Sequence, residues 1–135
     1  MGFHKGQVSV EIVIMAGIMM VVLFTVFFVN QHLEGMWAVQ KQRLEASAAA
    51  NQLAAAINQA AAGGNGTRVA FSNSVGPDVT NLTVYGGRSV RAYYAYGGFY
   101  SVSLVTNQTN ITGPVQLNAE VTLLNQNGTV GVLGG

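Results

Sequence analysis

The apolar and polar positions of the chain change rhythm twice. From Ile12 to Val29 eighteen residues carry no charge, and Thr25 alone among them is clearly polar. Counted from Val8 the run has 22 positions, enough for a helix spanning the roughly 30 Å of a bilayer's hydrocarbon. A secretory signal has a shorter apolar stretch followed by a small-x-small cleavage site. Here Asn30-Gln31-His32-Leu33-Glu34 follows instead, so the segment is expected to stay on the protein.

Past Val29 the rhythm becomes amphipathic. No Pro occurs before Gly63, and ten of the 17 residues from Ala46 to Ala62 are Ala, the best helix former. Ala46, Ala50, Leu53, Ile57 and Ala60 repeat at spacings of 4, 3, 4 and 3, a seam of mostly small knobs that predicts one packed face. Leu33, Trp37 and Leu44 fall near one stripe, which predicts a packed face there too. Gly63-Gly64 supplies the stop. One helix from Val8 to Ala62 would be about 80 Å long, with Gly17 and Gly35 as the places for bending or melting.

After Gly64 the period shortens to two. Val115, Leu117, Ala119, Val121 and Leu123 alternate with polar residues, the clearest half-buried strand. Further strands are expected at Arg68 to Ser72, Val79 to Tyr85, Ser89 to Tyr96, Phe99 to Thr106 and Thr129 to Leu133. Gly76-Pro77-Asp78, Gly86-Gly87, Gly97-Gly98, Gly113-Pro114 and Asn127-Gly128 mark the turns between them. Tyr85, Tyr93, Tyr94, Tyr96, Phe99 and Tyr100 concentrate aromatic surface on two adjacent strands. Most read as core and cross-strand pairs, with a few left for neighbouring subunits or a sugar. The fold class is therefore α+β, a long N-terminal helix followed by a small antiparallel sheet or sandwich.

Composition removes several alternatives. Charged residues make up 8% of the 135 and the net charge is +1, so no electrostatic footprint for nucleic acid exists. Without cysteine there is no disulfide scaffold, thiolate metal site or thiol nucleophile. The two histidines, His4 and His32, and the acids Asp78 and Glu120 assemble into no catalytic triad or metal-ligand spacing. No enzyme activity, metal or cofactor is expected.

At the N-terminus, Lys5-Gly6-Gln7-Val8-Ser9-Val10-Glu11-Ile12-Val13-Ile14-Met15 resembles the class III signal peptide of archaeal type IV pilin-like proteins, a Gln-x-Ser-x-Glu pattern preceded by a basic and a small residue. Gln7, Ser9 and Glu11 match, and Met15 stands where the family prefers Leu. The resemblance covers about ten residues of motif together with the order of leader, helix and β-rich tail. It implies cleavage by a prepilin peptidase between Gly6 and Gln7, removing residues 1–6 and leaving the helix, 7–62, on the subunit. It further implies that Gln7, with its new α-amine, and Glu11 meet across a subunit interface.

The physics of Glu11 agrees with that implication. An unpartnered carboxylate in apolar surroundings costs several kcal/mol, roughly 2.5 to 3.5 at a helix centre on insertion scales, and a cation relieves it. Within the first helical turns of a cut chain, the helix macrodipole adds about 0.3 to 1 kcal/mol in its favour. Ser9, Ala16 and Gly17 are small enough for close helix approach, which makes Ala16 and Gly17 interface candidates.

Five Asn-x-Thr sequons begin at Asn65, Asn81, Asn107, Asn110 and Asn127. From residue 65 onward there are eight Asn and eight Thr, from which chance placement yields about one such triplet. The excess predicts N-glycosylation and an extracellular domain at 63–135, with 8–29 in the membrane or filament core. The expected function is that of a structural subunit of a surface filament serving adhesion. Its partners would be further copies of itself, the prepilin peptidase, an assembly ATPase, a membrane platform protein and, before assembly, the membrane. The alternatives are a single-span surface-binding protein that never polymerises, and a minor or archaellum-type subunit.

Overall fold

The computed structural model describes residues 3–106 and 109–133, with side chains from residue 9 onward. One helix, α1 (Phe3–Ala62), is followed by six strands: β1 (Arg68–Ser72), β2 (Val79–Tyr85), β3 (Ser89–Tyr94), β4 (Phe99–Ser103), β5 (Glu120–Gln126) and β6 (Thr129–Leu133). The architecture is α+β, as expected. The chain divides into two compact units, Met1–Ala38 and Val39–Gly135, so the division falls inside the helix. The helix is unbroken through Gly17 and Gly35, and neither position melts.

In the second unit the strands form two three-stranded antiparallel sheets, ordered β1-β5-β6 and β2-β3-β4. Two tight turns follow directly from the glycines. Asn127 and Gly128 join β5 to β6 with φ of 52° and 85°, and Gly86 and Gly87 join β2 to β3 with φ of 59° and 65°. Positive φ at both central positions is the geometry whose twist matches two paired strands, and Asn and Gly reach it with least strain.

The predicted helical seam is the centre of this unit. Ala46, Ala50, Leu53, Ile57 and Ala60 are all fully buried. They share one core with Val79, Leu82, Val84, Val90 and Ala92 of one sheet, Val121, Leu123 and Val130 of the other, and Ile111 and Val115 between β4 and β5. Burying Leu53 and Ile57 contributes about 1.5–3 kcal/mol each. The surrounding Ala residues contribute less area, but their small size lets the backbone of two sheets approach the helix. Leu33, Trp37 and Leu44 are each exposed, so that part of the predicted stripe is not packed among the described residues.

Three predicted strands end elsewhere. β3 stops at Tyr94, because Tyr94 closes the connecting turn by accepting from Gly97 N at 3.0 Å and donating to Gly98 O at 3.0 Å, and β4 stops at Ser103, opposite Ser89 where β3 begins. The strand expected at Val115 to Leu123 runs instead from Glu120 to Gln126. Inward burial does alternate through Val115, Leu117, Ala119, Val121 and Leu123, but Asn118 takes φ 53° and breaks the ladder. Its backbone N–H donates to Asn73 O at 2.8 Å, and its Oδ1 accepts from Val75 N at 3.0 Å. Fully buried Asn73 returns the link, donating from its backbone to Ala119 O at 2.9 Å and from its side chain to Gln116 O. Hydrogen bonds exchanged with the distant segment around Asn73 thus take the place of the strand ladder here.

The segment from Thr109 to Val115 closes two sheet edges. Asn110 N donates to Val130 O at 2.8 Å beside the exposed side of β6, and Val115 N donates to Leu82 O at 2.7 Å on the free side of β2. Covered edges do not recruit foreign strands.

Candidate functional site

The feature that sets this chain apart from an ordinary soluble domain lies in the first unit. Sixteen large apolar side chains between Val10 and Val29 are each 51–71% exposed. They point in every direction around the helix. An amphipathic surface helix would bury one stripe, whereas a helix apolar all round requires apolar surroundings on all sides. Thr25, the polar exception, donates its hydroxyl to Val21 O at 2.8 Å, so it adds no unsatisfied group to that surface. By length and composition the helix is able to cross a membrane.

The predicted processing and interface residues fall along this surface. Lys5, Gly6 and Gln7 have helical backbone, and their side chains lie outside the described residues. Ser9, Glu11, Ala16 and Gly17 are exposed. Ser9, Ala16 and Gly17, at spacings of seven and eight, share one face. Beyond its own helical backbone, no atom of the described residues lies within 4 Å of where a Cβ on Gly17 would stand. The one ion pair among the described residues joins Lys41 to Glu45 at 3.7 Å and does not involve Glu11.

No protein-family model, curated protein or solved structure gives a significant match to this chain. The residues themselves therefore carry the functional argument.

Of the sequon asparagines, Asn65, Asn110 and Asn127 are exposed and Asn81 is half-buried, while Asn107 lies outside the described residues. Asn65 and Asn127 stand together, with Asn65 Oδ1 accepting from Asn127 N at 2.9 Å, which leaves the Nδ2 of each available to carry a sugar. Among the described residues no group of three or more His, Cys, Asp or Glu could hold a metal ion.

Two elements escaped the sequence reading. Asn125, 1% exposed, donates from Nδ2 to Ala60 O at 3.0 Å and Ala61 O at 3.4 Å, capping the last turn of α1. Its signal was present: it occupies the inward parity set by Val121 and Leu123, where a polar residue needs a partner. The aromatic cluster also lies differently from expectation. Only Tyr94 packs against the core from its half-buried position; Tyr85, Tyr96, Phe99 and Tyr100 are exposed, and Tyr93 pairs with Phe99 on the outer face.

Proposed function

We propose that this protein is the structural subunit of a surface filament of the archaeal type IV pilus kind, inserted first as a single-span membrane protein and trimmed before Gln7. The observation that carries the reading is the all-round exposure of the apolar segment, with an exposed carboxylate, Glu11, at its start. Lipid satisfies such a surface before assembly, and a sheath of identical helices satisfies it afterwards. Exchange of lipid for helix contacts yields little hydrophobic gain, so close packing over Ser9, Ala16 and Gly17 and neutralisation of Glu11 must set the register.

Cleavage supplies a cation for Glu11 as the α-amine of Gln7. Because the backbone of Gly6 and Gln7 is helical, the first turns must unwind for a peptidase to reach the bond. Gly6 makes that easier, since Gly in a helix interior costs about 1 kcal/mol relative to Ala. Outside the membrane, the β unit would carry glycans at the exposed sequons and face the surroundings.

Mass spectrometry of the native N-terminus together with a Glu11→Ala variant tests the proposal. The expected results are a mature chain beginning at Gln7, and a variant that inserts normally but assembles slowly or not at all. An intact Met1 on assembled protein, or normal filaments from the variant, would remove it. A non-polymerising anchored protein predicts the intact N-terminus.

A further inference from the structure

The outer face of the β2-β3-β4 sheet carries an arrangement that core packing does not explain. Antiparallel register places Asn81 opposite Tyr93 and Tyr93 opposite Phe99, in one row across all three strands. Directly opposed residues project from the same face of a sheet. Leu82 and Ala92, the next residues along, are fully buried, so this row points away from the core. The rings of Tyr93 and Phe99 are 5.6 Å apart and tilted by 44°. In the neighbouring row Arg91 lies between Tyr85, 3.6 Å from its guanidinium to the ring centroid, and Phe99, at 5.0 Å.

The result is a platform of aromatic rings, Tyr85 and Phe99 exposed and Tyr93 half-buried, around one half-buried guanidinium, and no carboxylate among the described residues pairs with that guanidinium. Aromatic faces attract the slightly positive C–H faces of a sugar ring, and a guanidinium donates to sugar hydroxyls. A sugar is therefore the ligand this chemistry suits. One already has an attachment point at the end of the row: the sequon Asn81-Leu82-Thr83 puts both Asn81 and Thr83 on the platform side. Strands are spaced by about 4.8 Å, close to the length of one pyranose, so successive sugars leaving Asn81 Nδ2 would meet Tyr93 and then Phe99.

We infer that the Asn81 glycan folds back onto the Tyr93–Phe99–Arg91 platform of its own chain, covering exposed aromatic surface and stabilising this sheet. The inference rests on the glycosylation reading above. It gives Asn81 a structural part that the turn sequons Asn65 and Asn127 do not share.

The test uses the full chain made in a cell that installs N-glycans, solubilised in detergent. Site occupancy is read by mass spectrometry of glycopeptides, and stability by the near-ultraviolet circular dichroism of the tyrosines. All five tyrosines lie between Tyr85 and Tyr100, so the signal reports this sheet directly. Native, Asn81→Gln, Thr83→Ala, Phe99→Thr and Asn81→Gln/Phe99→Thr chains are compared; Thr retains strand propensity at the edge position.

Expected are an occupied Asn81 and a midpoint lowered by about 2–4 °C on losing that glycan through either sequon substitution. In the Phe99→Thr background the same loss should have no further effect. An occupied Asn81 whose loss is additive with Phe99→Thr overturns the inference and leaves the glycosylation reading standing. An empty Asn81 with other sequons occupied does the same. No occupied sequon at all overturns both.

Discussion

Replacing Asn125 by Ala tests how the end of the long helix is held. The substitution removes the Nδ2 donor to Ala60 O and Ala61 O and the Oδ1 acceptor of Gly128 N at 3.1 Å. Gly128 is exposed, so water replaces its lost acceptor, and Ala61 O keeps the Gly64 N–H at 3.4 Å. Ala60 is fully buried, and no water reaches its carbonyl. Leaving one buried acceptor unpaired costs about 1–3 kcal/mol, and the weaker lost bonds with the small cavity bring the sum to about 2–4 kcal/mol. For a unit of this size the tyrosine-monitored midpoint of the detergent-solubilised chain should fall by about 10 °C or more.

An Asn125→Asp variant separates the hydrogen bond from the volume. Its acid donates to Ala60 O when protonated, but as a carboxylate it faces the negative end of the helix dipole in a buried site, so its folded pKa rises. The stabilising contribution is then fully present below the unfolded value of about 3.9 and is lost as pH rises through the higher folded value. Relative to Ala, Asp should gain stability on acidification. An Ala variant within about 0.5 kcal/mol of the native chain, or an Asp variant whose advantage over Ala does not change with pH, would refute the reasoning.

Thermal or denaturant unfolding of the same preparation should show Leu53→Ala losing about 2–5 kcal/mol, since Leu53 is fully buried in the core cluster. Leu44→Ala, at 71% exposure, should stay within about 0.5 kcal/mol in the isolated chain. Gly64, at φ 80° beyond the helix end, should cost about 1–2 kcal/mol when changed to Ala and less when changed to Asn, which tolerates the left-handed region.

Local chemistry made much of the fold legible. Arg68–Ser72, Val79–Tyr85 and Thr129–Leu133 are strands with the predicted bounds, because glycine turns or a helix stop delimit them. The seam from Ala46 to Ala60 was legible because a repeat of seven marks a face whatever covers it. The break at Asn118 was not, since alternation reports which side is buried and not whether the backbone stays extended. The exposed platform was hidden for a related reason: Tyr93 and Tyr94 point to opposite faces, and their sequence alone does not say which face meets the core. The capping partners of α1 come from 64 and 65 residues away, a separation no local pattern encodes.

That separation also bears on how the protein is made. The cap on Ala60 closes only when Asn125 arrives with the β5–β6 hairpin, so the last turn of α1 stays unlocked until residues 120–133 have paired. Contacts so distant in sequence form slowly. Rigidity at the end of the long helix is therefore a late acquisition, gained only when a hairpin more than sixty residues downstream docks on it.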